Sequence, residues 1–184
     1  VSVKKQKEKR PKDKEKSQDA KTHYIRNTIV HIEKLKERYC LNARSTVEIL
    51  PRIVAFLLLN NELKNYLLFF VDGEKSLHNA IVNAFSWFKH YGILLDWYHL
   101  SEKCTMELSL ALKKRDFRND ILEKVEKQLW IGKIDRAIEI LKCIDKDNIK
   151  SESNIERLIG YFERNRNYIP CYAIRKSLGL RNSS

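Results

Sequence analysis

Glycine, proline and cysteine are all scarce in this chain of 184 residues: five, three and four, respectively. So little glycine and proline argues against a loop-rich or fibrous protein. The four cysteines, Cys40, Cys104, Cys143 and Cys171, lie far apart with no C-x-x-C pair. Neither a zinc site nor a disulfide framework is indicated, and they read as buried free thiols of a reducing compartment. Long apolar runs are missing too. The longest, Ile53 to Leu59, has seven residues, where a bilayer needs roughly 20. The lysines near the N-terminus are followed by no apolar stretch, so no signal peptide is read there. No Walker loop, no G-x-G-x-x-G and no G-x-S-x-G occurs. What remains is a compact chain, long enough for one domain with a real core, expected in the cytoplasm.

Acidic residues are in deficit. Thirty-six Lys and Arg face 24 Asp and Glu, for a net charge of +12 and a pI near 9.5. Such a balance favours polyanionic partners, nucleic acid first and an anionic membrane surface second. The plain alternative is the charge of a lysine-rich proteome. Nine Lys/Arg and four Asp/Glu fall in residues 1–21, so +5 of the +12 sits in one polar stretch. The chain starts at Val1 without a methionine and ends at Arg181-Asn182-Ser183-Ser184, and it reads as a piece of a longer protein.

Along the chain, Val1-Ser2-Val3 looks like a strand end, followed by a charged loop. β-Branched and aromatic residues return at Tyr24, Ile25, Thr28, Ile29, Val30 and Ile32, then Tyr39 and Leu41. These predict a strand hairpin, although Glu33 to Arg38 also fits a helix. Ser45-Thr46-Val47-Glu48 is a capping-box pattern opening a helix to about Asn61. Pro51 conflicts with that helix unless it kinks there or starts at the proline. Tyr66 to Val71 is apolar on both faces, the pattern of a strand buried in a sheet. Asp72-Gly73 stops it. Leu77, Ile81, Ala84, Phe85 and Phe88 then recur at helical spacing, and Gly92 to Leu95 predicts a second buried strand ended by Asp96. Helical periods follow at Leu108–Leu112, Ile121–Leu129, Ile134–Leu141 and Ile155–Phe162, with Gly132 separating the second from the third. Three antiparallel strands followed by βαβα is the order of a ribonuclease H-like α/β fold.

Open α/β sheets place their sites at the carboxyl ends of strands, where Asp72 and Asp96 both fall. Hard divalent cations take oxygen ligands, and a Mg²⁺ pair can hold both oxygens of a phosphodiester displacement. The competing reading of Asp72 is a turn residue or helix N-cap. Asp96-Trp97-Tyr98-His99 puts the imidazole three residues after the carboxylate, on one helix face. Aspartate orienting the histidine is one reading, joint support of a metal or phosphate is another, and an N-cap aspartate with a partly exposed histidine is the preferred one. Candidate phosphate contacts are Lys4, Lys5, Lys7, Lys9, Lys12, Arg164, Arg166, Arg175 and Arg181, against simple solvation of each. Trp87, Trp97 and Trp130 have the spacing of core residues more than of base-stacking platforms.

Taken together, Leu68-Phe69-Phe70-Val71-Asp72-Gly73-Glu74, Phe85-Ser86-Trp87 and Ile93-Leu94-Leu95-Asp96-Trp97-Tyr98-His99 resemble the core of bacterial insertion-sequence transposases of the DDE type, specifically the Mutator-like group. Leu129 to Ile138, Leu158 to Asn165 and Ile169 to Arg175 look like that group's helical insertion. The resemblance runs through most of residues 22–184. It implies a ribonuclease H-like mixed sheet with a large C-terminal all-helical insertion. The implied layout is a first-strand end and basic loop in residues 1–21, the core in 22–100, the insertion in 101–165 and a return segment in 166–184. It further implies DNA cleavage and strand transfer with Mg²⁺ (or Mn²⁺), nucleoid association, and assembly as a homo-oligomer on transposon-end and target DNA. Asp72 matches the second acid of the triad, and Asp96 with His99 matches the accessory D-x-x-H motif. The first aspartate is expected just upstream of Val1 and the third acid, a glutamate, soon after Ser184. As given, the chain would then be a catalytically incomplete fragment. The alternatives are a non-catalytic, basic nucleic-acid-binding protein and a different ribonuclease H-like nuclease.

Overall fold

A computed structural model describes residues 2–4, 24–26, 28–34 and 37–183. The lysines at 5, 7, 9 and 12, and most of the basic loop, lie outside them. The chain is mixed α/β and divides into two compact units, Val1–Asn65 with Asn79–Trp87, and Tyr66–His78 with Phe88–Ser184.

In the first unit, β1 (Ser2–Lys4) pairs antiparallel with β2 (Tyr24–Arg26), and β3 (Thr28–Lys34) with β4 (Glu37–Ala43). Of the residues that also fitted a helix, Glu33, Lys34, Glu37 and Arg38 belong to the hairpin strands. There Glu33 stands opposite Arg38, and the pair is joined by a 2.6 Å ion contact across the strands. Val30 and Ile32 are half-buried while His31 between them is exposed, the alternation a two-faced strand requires.

Helix α1 (Thr46–Leu59) begins where the capping pattern lies: Ser45 Oγ accepts the Glu48 amide at 3.3 Å. The Glu48 carboxylate reaches back one residue further than the box requires, to the Arg44 amide at 3.2 Å. Pro51 stands inside the helix. It is exposed, and so is Val47, whose carbonyl loses its helical donor to the proline. Ile49, Leu50, Ile53 and Leu57 make the buried stripe.

In the second unit, β5 (Leu67–Val71) and β6 (Tyr91–Leu95) run parallel, Val71 opposite Leu95. Helix α2 (Lys75–Ala84) connects them in sequence. Sequence predicts β5 buried on both faces, yet Leu68 is exposed and only Val71 is fully buried. Among the described residues β5 bonds to one neighbour, β6, which leaves its other edge without a strand to cover it. The described strands form three two-stranded ladders.

Five helices follow: α3 (Trp97–Ala111), α4 (Arg115–Trp130), α5 (Ile134–Lys142), α6 (Glu152–Asn165) and α7 (Tyr172–Ser177). Leu100, Cys104, Leu108 and Ala111 recur along one face of α3 and are completely buried, as are Val125, Leu129, Leu158 and Phe162. Each leucine so buried contributes on the order of 1.5–3 kcal/mol. Gly132 takes φ +74°, the left-handed turn that separates α4 from α5. Trp97 and Trp130 pack with Tyr172, ring centroids 4.7–5.8 Å apart. Trp87, by contrast, is exposed. All four cysteines are free, but only Cys104 is buried, and burial pushes its thiol well above the usual range; Cys40 and Cys143 are exposed. Among the described residues no helix is long and apolar enough to cross a membrane.

Candidate functional site

Because β5 and β6 are parallel and in register, Asp72 and Asp96 leave the sheet side by side. The Asp96 amide donates to the Val71 carbonyl at 2.8 Å. Their side chains then diverge. Asp96 is buried and caps α3, its Oδ1 accepting the amides of Tyr98 at 2.8 Å and His99 at 3.3 Å. Its link to His99 therefore runs through the backbone. The imidazole is half-exposed, with Nδ1 3.8 Å from Glu102. This is the N-cap arrangement, and the carboxylate also meets the positive end of the helix dipole.

Asp72 is exposed, and its Oδ1 accepts the Glu74 amide at 2.9 Å in an Asx turn. The turn is held from the far side of the chain: the Tyr161 hydroxyl donates to the Asp72 carbonyl at 2.8 Å. Burial pushes the Tyr161 phenol well above its ordinary range, so it remains a donor. Gly73 turns at φ +85°, and a Cβ there would stand 2.7 Å from the Tyr161 oxygen and 3.0 Å from Leu95 Cδ1. Both the positive φ and the close approach require glycine.

The turn opens into a cleft of about 540 Å³. One wall is α3, with His99, Lys103 and Met106 at i, i+4 and i+7. The facing wall is α6, with Arg157, Tyr161 and Arg164 at the same spacing. Beneath them lies Glu107, 1% exposed, with Lys103 Nζ at 2.8 Å and Arg157 Nη1 at 3.4 Å. Behind the turn, His78 is buried against the Tyr168 ring at 4.2 Å, and its Nε2 has no hydrogen-bond partner among the described residues. Burial lowers its pKa, and the Asp72 charge opposes that effect.

The remaining cationic candidates are dispersed. Arg164 lines the cleft. Arg166 binds Asp135 at 2.8 Å, which holds that carboxyl below its usual range. Arg175 donates to Asn182 Oδ1 and the Arg181 carbonyl, at 3.2 and 2.7 Å. Together with the bond from the Trp97 amide to the Asn182 carbonyl, these contacts seat residues 181–183 at the start of α3, beside Asp96. Lys4 ends β1.

Mg²⁺ catalysis by clustered acids requires several carboxylates converging on one point. Among the described residues no group of three His, Cys, Asp or Glu side chains is placed to hold a metal ion. Asp72 does not become a complete cation site with what surrounds it.

Sequence reasoning gave no role to Tyr161, Arg157, Lys103, Glu107 or His78. The 157-161-164 spacing is a readable signal for one polar helix stripe, but nothing local says that it faces Asp72, 89 residues away in the chain. No protein-family profile, curated protein or solved structure matches the chain.

Proposed function

We propose that the chain is part of a DNA transposase of the DDE type, a Mutator-like insertion-sequence enzyme with a ribonuclease H-like core. In this reading it binds transposon-end and target DNA as a homo-oligomer. Asp72 is the single triad acid it supplies, and Mg²⁺ or Mn²⁺ is the cofactor of the complete enzyme. One observation carries the reading: a parallel strand pair delivers Asp72 at its carboxyl end into an open cleft between two helices, in a chain of net charge +12. Ligands of open α/β sheets sit at that end. Asp96 acts as the cap that starts α3, and His99 borders the cleft.

With one carboxylate, this chain binds DNA without cutting it. Incubated with supercoiled plasmid and Mg²⁺ or Mn²⁺, it is expected to leave the plasmid intact. Metal-dependent nicking that disappears in Asp72→Asn would show that the chain holds a complete site and overturn the one-acid reading. The second reading is a non-catalytic nucleic-acid-binding protein, supported by the net charge of +12.

A further inference from the structure

The cleft is chemically two-sided. Asp72, Glu74 and Glu102 carry its negative charge, and Lys103, Arg157 and Arg164 its positive charge. The positive groups are not neutralised one for one. Lys103 and Arg157 share a single carboxylate, Glu107, which is buried and therefore closed to any other partner. No carboxylate pairs with Arg164 among the described residues, and its guanidinium lies back over Gly160, where a Cβ would meet Nη1 at 3.1 Å. The lining as a whole holds three charges of each sign, with Glu107 a further negative charge beneath, and both of its arginines stand on the α6 side. Both arginines are exposed, and they sit on either side of Tyr161, the residue that holds the Asp72 turn. Seven residues of helix separate them, about 10.5 Å along the axis.

We propose that the α6 stripe is a phosphate seat, in which Arg157 and Arg164 each take one phosphate of a DNA backbone, on the two sides of the point where Asp72 faces the cleft. Guanidinium groups suit this task because their planar fork gives two parallel bonds to one phosphate. Lys103 completes the charge on the Arg157 side. Glu107 positions both Lys103 and Arg157 from below, and the acidic groups at the turn and on Glu102 repel the strand, so it lies against α6. The inference rests on the DNA-binding reading above.

The test is fluorescence anisotropy of a mixed-sequence duplex oligonucleotide with the full chain, over about 50 to 200 mM salt, where each phosphate contact contributes about 0.9 to the slope of log K against log salt. Arg164→Gln, which breaks no ion pair, is expected to reduce the slope by about 0.9 and to weaken binding equally on unrelated sequences. Arg157→Gln is expected to do the same, whereas Arg157→Lys keeps the slope. Lys124→Gln removes an equal charge from α4, where Lys124 pairs with Asp120, and is expected to leave the slope unchanged. Wild-type binding with a normal slope that neither arginine substitution alters would overturn the seat and leave the DNA reading standing. An equal loss from Lys124→Gln would also overturn it, by showing diffuse charge instead of a contact. No salt-dependent binding by the wild type would overturn the DNA reading and the seat together.

Discussion

His78 shows how one residue links the site to the stability of the chain. Its imidazole is buried against Tyr168 with Nε2 unpartnered among the described residues, so protonation would place a charge on a buried group without a hydrogen-bond acceptor. Its folded-state pKa is lowered, by burial first and against the opposing charge of Asp72. In the window between that lowered value and about 6.5, the unfolded chain binds more protons than the folded one. Stability therefore rises with pH through the window and is lost as pH falls below about 6.5. Phenylalanine has nearly the same shape and no proton to gain. Urea unfolding at a series of pH values is expected to show the wild type losing stability relative to His78→Phe below pH ~6.5. Parallel curves for the two proteins would contradict this. Removing the Asp72 charge by Asp72→Asn is expected to lower the His78 pKa further, steepening the acid loss.

At the scale of elements, the decisive contact is that of α6 with the end of β5. Tyr161 provides it with one hydroxyl, and Gly73 makes the space. Tyr161→Phe keeps the ring and removes the donor, so it is expected to cost about 1 kcal/mol, read as a shift in urea midpoint at constant m-value. A loss within error of zero would mean that the hydroxyl does not hold the turn.

Much of this level was legible beforehand. Helices α3 to α6 each bury a 3.6-residue stripe, and period survives whatever the helix packs against. The two strand-end aspartates were legible because Asp-Gly and an N-capping aspartate are local chemistry. The Ser45 cap was legible for the same reason. Pro51 was ambiguous because its cost depends on whether the Val47 carbonyl meets water, which the sequence does not state. Tyr161 was out of reach because its partner is 89 positions away. So were the Glu107 network and the Asn182 latch on α3, since side-chain bonds of long range follow from packing and not from pattern. The cysteines misled because a small thiol carries no periodic signal that separates the buried Cys104 from the exposed Cys40 and Cys143.

For the whole molecule, charge and fold play separate parts. A net charge of +12 supplies long-range attraction to a polyanion but no address. The address is the cleft, where Asp72 stands at the carboxyl end of the parallel pair and α6 presents Arg157, whose counter-charge Glu107 is buried, and Arg164, with which no carboxylate pairs among the described residues. The measurement that tests this most directly is an amide NMR titration of the full chain with a short DNA duplex. Shifts are expected to concentrate in residues 72–74, 99–106 and 157–164, and to diminish in Arg164→Gln. Shifts confined to the basic stretch of residues 1–21, with the cleft amides unmoved, would contradict the cleft as the place where DNA binds.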